Sequence, residues 1–380
     1  MPTGNHQTIA VLFVALAAAL SGCGPSEPPQ QAQPAPAGGT EAQPTEPEKL
    51  QIGLLMETYD VDRWARDEKH FTDKAEAEGG IVMRMVANGD QDRQNKQADS
   101  LLTQGADVLV VIPKNLNTAA RIVKSAHEKK VPVVAYDRLI RDCDLDVYIT
   151  FDNEKVGYLQ AKGVLEKVLE GNFILLGGAA TDNNAKLLRA GQLRAIKERQ
   201  AETGKEIAIL AEPFLDNWDR EEARRKVSNM LTRFKAQGKQ VDAIVASNDS
   251  TAGGAIAALK GEGLAGKVAV SGQDAELSAC QRVVEGTQTV TVYKPVRALA
   301  AAAAELAVRL AKGDKPQQAI EAMGHKVELL DNGEKKVPSV FLEPIYVTPD
   351  NMVETVIKDG WHPLEQVYAN VPKDQWPAMK

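Results

Sequence analysis

The chain has 380 residues, enough for two ordinary domains, and 43% hydrophobic with 26% charged residues is the balance of a globular protein. A formal net charge of −7 argues against nucleic acid as a partner, because phosphate binding needs a basic surface. The three cysteines form no CxxC and no Cys/His cluster, so neither a metal site nor a cofactor is expected.

The first 23 residues stand apart. An apolar run at 9–20, rich in Ala and Leu, is too short to cross a bilayer as a lone helix and fits the core of a secretory signal. It leads into Leu20-Ser21-Gly22-Cys23, which resembles a bacterial lipobox; the alternative is an ordinary cleaved signal with a chance cysteine. Residues 1–23 are therefore read as a signal peptide with a lipobox, and Cys23 as a lipidation site that tethers the protein to a membrane. Residues 24–48 are rich in Pro, Gln, Ala and Glu and lack large apolar groups, so they read as a flexible linker. The expected location is periplasmic or extracytoplasmic, as a membrane-anchored lipoprotein. Cys143 and Cys280 lie far apart in the body and are read as separate small residues, with a bridge as the lesser alternative.

From Leu50 onward short apolar runs alternate with amphipathic stretches. Runs fall at 50–56, 81–86, 108–112, 131–136 and 147–151, with helical patterns at 63–78, 92–104 and 118–129 between the earlier ones. The rhythm continues with runs at 173–176, 207–211, 243–246, 268–270 and 290–293. Near-continuous apolar strands separated by helices predict parallel sheets covered on both faces. Eight to ten such units exceed one sheet of ordinary size, so the fold class is α/β with two doubly wound parallel-sheet domains.

Open parallel sheets bind ligands beyond the carboxyl ends of their strands. Polar planar side chains sit at those points: Asp62-Arg63-Trp64, Asp137-Arg138, Asp182-Asn183-Asn184, Asn217-Trp218, Asn248-Asp249, Gln273-Asp274 and Lys294. Asp and Asn accept hydrogen bonds, and Asn, Arg and Lys donate them, which suits a ring of hydroxyls. An aromatic ring suits the C–H face of a pyranose, the role open to Trp64 and Trp218. Taken singly, Asn153, Asp219 and Asp249 are ordinary helix caps and Trp218 an ordinary core aromatic. Agreement at so many strand ends favours a binding site. A glycosidase built on Asp137 and Asp274 is the rival reading, but neighbouring Arg63, Arg138 and Lys294 would keep both acids ionised. No GxSxG, HExxH or P-loop is present. A ligand-sensing repressor would need an N-terminal DNA-binding motif where this chain has a signal and linker.

Several segments carry a specific resemblance: Ala135-Tyr136-Asp137-Arg138, Phe151-Asp152-Asn153-Glu154-Lys155-Val156-Gly157, Asp182-Asn183-Asn184-Ala185-Lys186-Leu187, Ala246-Ser247-Asn248-Asp249, Ser271-Gly272-Gln273-Asp274, Gly286-Thr287-Gln288-Thr289 and Thr291-Val292-Tyr293-Lys294-Pro295. From about residue 49 to 364 the chain resembles the periplasmic D-xylose-binding proteins of bacterial ABC importers, a branch of the ribose- and galactose-binding family. The resemblance implies a type I periplasmic binding protein fold with a three-crossover hinge near 152–154, 293–295 and 343–348. It implies an N-terminal sugar-binding lobe of 49–152 plus 295–341 and a C-terminal lobe of 153–294 plus 342–368. It implies sugar-binding roles for Arg63, Trp64, Asp137, Arg138, Asp182, Asn184, Trp218, Asn248, Asp274 and Lys294. The implied protein is a monomer and not an enzyme; its partners are a monosaccharide, D-xylose foremost, and an importer permease. Glucose, arabinose and ribose stay open as ligands, because selection around C5 is a matter of fine packing. The lipobox, the long linker and the two body cysteines depart from the family pattern and touch none of these positions.

Overall fold

The computed structural model describes residues 49–61 and 63–377. The signal, Cys23, the linker at 24–48 and Asp62 lie outside the described residues. Each predicted apolar run becomes a strand. The first sheet has the order β11-β12-β5-β4-β3-β1-β2. Its strands are β1 (Leu50–Met56), β2 (Gly80–Val86), β3 (Val108–Val111), β4 (Val133–Tyr136), β5 (Val147–Phe151), β11 (Glu328–Asp331) and β12 (Lys336–Leu342). The second has the order β13-β10-β9-β8-β6-β7. It contains β6 (Gly171–Leu176), β7 (Ile207–Ala211), β8 (Ala243–Ala246), β9 (Ala269–Gln273), β10 (Val290–Tyr293) and β13 (Ile345–Val347).

Strands β3, β4 and β5 are buried along their whole length because helices cover both faces. On one face α1 (Arg63–Ala77) packs against α9 (Val296–Ala311), joining Phe71, Leu299 and Leu306 to Ile52, Val110 and Ile149. On the other face α2 (Gln91–Thr103) and α3 (Ala120–Glu128) bring Leu101 and Ile122 against Leu55 and Tyr148. In the second sheet α4 (Asn153–Leu165) and α5 (Asn183–Thr203) close one core, holding Val164 and Ile196 against Phe173. The other core lies under α6 (Arg220–Ala236) and α7 (Asp249–Gly261), with Val227 and Leu259 against Ile174. Helix α8 (Leu277–Val284) and the C-terminal segment form a further cluster around Tyr293, Met352, Val356 and Trp361. The chain passes between sheets after β5, after β10 and between β12 and β13.

Both sheets are parallel except at one edge. Strand β11 pairs antiparallel with β12, and β13 pairs antiparallel with β10. The strand rhythm at 328–347 escapes a reading based on apolar runs. Strand β11 alternates between intermediate and exposed residues, and Pro338 interrupts β12. Cys143 is half-buried and Cys280 buried, and both are free thiols.

Helices α4 and α5 meet backbone to backbone. A Cβ on Gly157 would lie 1.9 Å from the Leu188 carbonyl oxygen, and one on Gly191 would lie 1.9 Å from that of Glu154. Neither backbone can yield as a side chain would. Gly157→Ala is therefore expected to destabilise the fold by on the order of 1–3 kcal/mol. The measurement is a lowered urea midpoint at unchanged m-value; an unaltered midpoint would show that the helices separate freely.

Candidate functional site

Asp137 and Asp274 are each the first residue after a central strand, β4 in one sheet and β9 in the other. Both occupy the left-handed region, at φ 63° and 88°, which few residues other than Gly, Asn and Asp adopt. Such a conformation costs on the order of 1–3 kcal/mol and persists only when its surroundings impose it. The surroundings are matched in the two sheets. The Asp137 N–H donates to the Ile149 carbonyl and the Asp274 N–H to that of Val292, both at 2.8 Å. The Thr150 hydroxyl donates to the Asp137 carbonyl at 2.8 Å, and the Thr291 hydroxyl accepts from the Ala275 N–H at 3.2 Å. The turns aim both carboxylates at one point between the sheets.

Arg63 and Lys294 occupy that point. Arg63 opens α1, and its Nη1 lies 3.0 Å from Asp137 Oδ1 and 3.5 Å from Asp274 Oδ1. Lys294 directly follows β10, and its Nζ lies 3.9 Å and 3.4 Å from the same two oxygens. Arg138 makes the second bridge between the sheets, with Nε 2.9 Å from Asp182 Oδ2 and Nη1 3.3 Å from Glu57 Oε2. Asp182 caps α5, accepting from the Asn184 N–H at 2.9 Å. Asn184 in turn donates to the Asp137 carbonyl at 3.0 Å and accepts from Asn153 at 3.0 Å. Asn248 caps α7 and spends its Oδ1 on Thr251.

The two tryptophans differ in setting. Trp64 is 3% exposed and carries the Arg63 guanidinium 4.5 Å and the Arg138 guanidinium 5.4 Å from its ring centre. Trp218 is half-buried and donates Nε1–H to Asp182 at 3.1 Å. Its ring lies flat across Gly178, where a Cβ would sit 2.1–2.4 Å from three ring carbons.

The ten residues given a binding role in the sequence all line one narrow chamber between the two sheets, with about 30 Å³ of free space. Gln273 and Val61 complete the lining. Gln273 was visible at a strand end without an assigned role. Glu57, Asp67 and Tyr136, which hold the arginines from behind, carry no binding role in the sequence reading. The i, i+4 spacing of Arg63 and Asp67 was the one available signal for them. A wider cleft lies outside, between Asp60, Asn88 and Lys114 on one side and Asn217, Arg220 and Glu276 on the other. Lys114 Nζ donates across it to Asn217 at 2.7 Å.

Burial by itself would raise the Asp137 carboxyl, but Arg63, Lys294 and Arg138 outweigh it and hold Asp137 below the usual carboxylate range. Burial pushes Asp182 above that range against the pull of Arg138. Burial would lower the Arg138 guanidinium, yet Glu57, Asp182 and Asp137 raise it. Trp64 Nε1 and Gln273 Oε1 are buried without a hydrogen-bond partner among the described residues, while Asp137 Oδ1 and Asp274 Oδ1 face the cations of Arg63 and Lys294. One unpartnered donor, one unpartnered acceptor and two ion-paired carboxylates thus line one small volume.

Two α/β lobes closed around such a chamber define a protein that engulfs a small polar molecule. The chain belongs to the periplasmic binding protein family: the family's domain model matches residues 52–315. The chain is 46% identical to the D-xylose-binding periplasmic protein of Escherichia coli K12 over 314 residues, 83% of this chain and 91% of that one. It is 47% identical to the D-xylose-binding periplasmic protein of Haemophilus influenzae over 319 residues, 84% and 92% of the two chains. Among solved structures it is similar to a carbohydrate transporter solute-binding protein of Chloroflexus aurantiacus in complex with D-glucose. That match has TM-score 0.75 and 28% identity, covering 84% of this chain and 98% of the other. Among the described residues no helix is long and apolar enough to cross a membrane.

Replacing Gly178 by Ala is expected to displace the Trp218 ring and break its bond to Asp182. Trp emission should shift and ligand affinity fall about tenfold or more, while the melting temperature changes little. Unchanged emission and affinity would separate Trp218 from the site.

Proposed function

We propose that this protein is the substrate-binding component of an ABC importer, that it binds D-xylose between its lobes, and that it passes the sugar to a membrane permease. The convergence of Arg63, Asp137, Arg138, Asp182, Asn184, Asn248, Asp274 and Lys294 from two lobes on one buried chamber carries this reading. The ion-paired carboxylates of Asp137 and Asp274 and the unpartnered Gln273 Oε1 suit hydroxyl donors of a sugar, and Trp218 offers an apolar face. Identity of 46% and 47% with two D-xylose-binding periplasmic proteins supports xylose over glucose, arabinose or ribose.

The lobes, 49–152 plus 295–341 and 153–294 plus 342–368, would turn about the three crossovers. A sugar that bonds to both lobes at once favours the closed arrangement by its better contacts there. The lipobox at Cys23 supports a lipid tether that keeps the monomeric protein beside its permease on the extracytoplasmic side. Binding without turnover fits the charge pattern. Glycoside hydrolysis needs one protonated carboxyl, whereas Arg63 and Lys294 stand against both Asp137 and Asp274.

The charge pattern also sets the class of ligand. Arg63 is paired with Asp67 and Asp137, Arg138 with Glu57 and Asp182, and Lys294 with Asp274. None of these three cations is left over for an anionic guest, and burying an unpaired charge is strongly unfavourable. The expected ligand is therefore a neutral sugar.

Calorimetry tests these points. D-Xylose should bind, while D-xylonate and D-glucuronate should not compete with it. Asp274→Ala leaves sugar hydroxyls and Lys294 short of a partner and should cost on the order of 1–3 kcal/mol, about tenfold or more in affinity. Unchanged affinity in Asp274→Ala would remove that residue from the site, and absence of heat with every neutral aldose would overturn the assignment.

A further inference from the structure

The Arg63 guanidinium is held from behind. Asp67, one turn further along α1, takes two parallel bonds from it: Nε to Oδ2 at 3.1 Å and Nη2 to Oδ1 at 2.8 Å. This is the paired geometry in which Arg and a carboxylate fix each other's orientation. The Tyr136 hydroxyl donates to the same Asp67 Oδ1 at 2.5 Å. Tyr136 ends β4 and directly precedes Asp137, so one strand terminus supports the arginine from both sides. Asp67 is 1% exposed and is not among the residues lining the chamber. With Nε and Nη2 committed, Nη1 is the nitrogen that meets Asp137 and Asp274. The Trp64 ring, 4.5 Å away, backs the guanidinium.

We propose that Asp67 is the positioning residue of this binding site: it touches no ligand, but with Tyr136 it locks the Arg63 fork so that Nη1 alone faces the chamber and spans the carboxylates of both lobes. The ligand part of this inference rests on the sugar-binding reading above; the orientation of Arg63 against Trp64 does not. The Tyr136 hydroxyl is suited to its part, because burial raises its pKa well above the ordinary range and keeps it a donor. Burial likewise raises the Asp67 carboxyl, against the pull of Arg63. An Asp67 carboxylate without its arginine is thus disfavoured, which keeps the two groups together. A bidentate clamp differs from a simple countercharge in that its geometry, not its charge alone, carries the effect.

The test compares Asp67→Asn, Asp67→Glu and Tyr136→Phe in the full protein. An amide at position 67 keeps the shape but offers one acceptor instead of two, so Arg63 is freed to rotate. D-Xylose affinity measured by calorimetry should fall at least tenfold in Asp67→Asn and about threefold in Tyr136→Phe. Asp67→Glu keeps the charge but displaces the fork and should not restore affinity. The sugar-free emission spectrum should also differ between Asp67→Asn and the parent protein, and that difference should vanish in a Trp64→Phe background. A purely structural role would lower the melting temperature without a Trp64-dependent spectral change. Folded Asp67→Asn protein with parental affinity and parental emission overturns the proposal. Should Asp67→Asn fail to fold, Tyr136→Phe decides in its place: parental affinity and emission there overturn it equally. If the parent protein binds no D-xylose, the sugar-binding reading fails, while the Trp64 emission comparison still tests the clamp.

Discussion

The arrangement depends on one electrostatic constraint: Arg63 and Lys294 stand between Asp137 and Asp274, which come from different sheets. All four side chains are at most 6% exposed. Charges so deeply buried are tolerable only when paired, and removing one partner leaves another stranded. The two lobes therefore complete each other's charge balance when they close. The second bridge, from Arg138 to Asp182, repeats the pattern a short distance away. In this arrangement of the lobes Arg63, Arg138 and Lys294 are each paired with carboxylates.

The precision of that arrangement comes from backbone devices. Two aspartates are held at positive φ by matched hydrogen bonds from neighbouring strands, so the same turn recurs once in each lobe. Two helix caps, Asp182 and Asn248, use one oxygen on their own helix and also line the chamber. A capping side chain is held in place by its own helix. The lack of a Cβ at Gly178 leaves room for the Trp218 ring where it lies. Small residues here are a condition of the site as much as the charged ones.

Neutral ligands fit this logic better than ions. A site whose cations are already matched by carboxylates holds strong acceptors and donors without net need of a counter-ion. Hydroxyl groups both donate and accept, so they can insert between the paired charges. A carboxylate or phosphate would have to displace one of the existing acids.

The sequence by itself determined the order of the apolar-run strands and the two-sheet architecture, and placed polar residues beyond the strand ends, from which the family resemblance singles out ten that line the chamber. The reason is physical. Buried parallel strands must be apolar throughout, which marks runs such as 108–111 and 243–246, and ligand groups must stand just beyond their ends. Local rules sufficed wherever the cause was local. What lay beyond them needed contacts distant in sequence. Strands β11 and β13 are edge strands without a strong apolar run, and only their partners define them. Glu57 and Tyr136 are set by where Arg138 and Arg63 point, which no spacing along the chain specifies, and Asp67 shows in the sequence only as an i, i+4 partner of Arg63. Only the tertiary structure decided that Asp137 and Asp274, 137 positions apart, share one arginine, because the meeting of two lobes is a property of the folded chain.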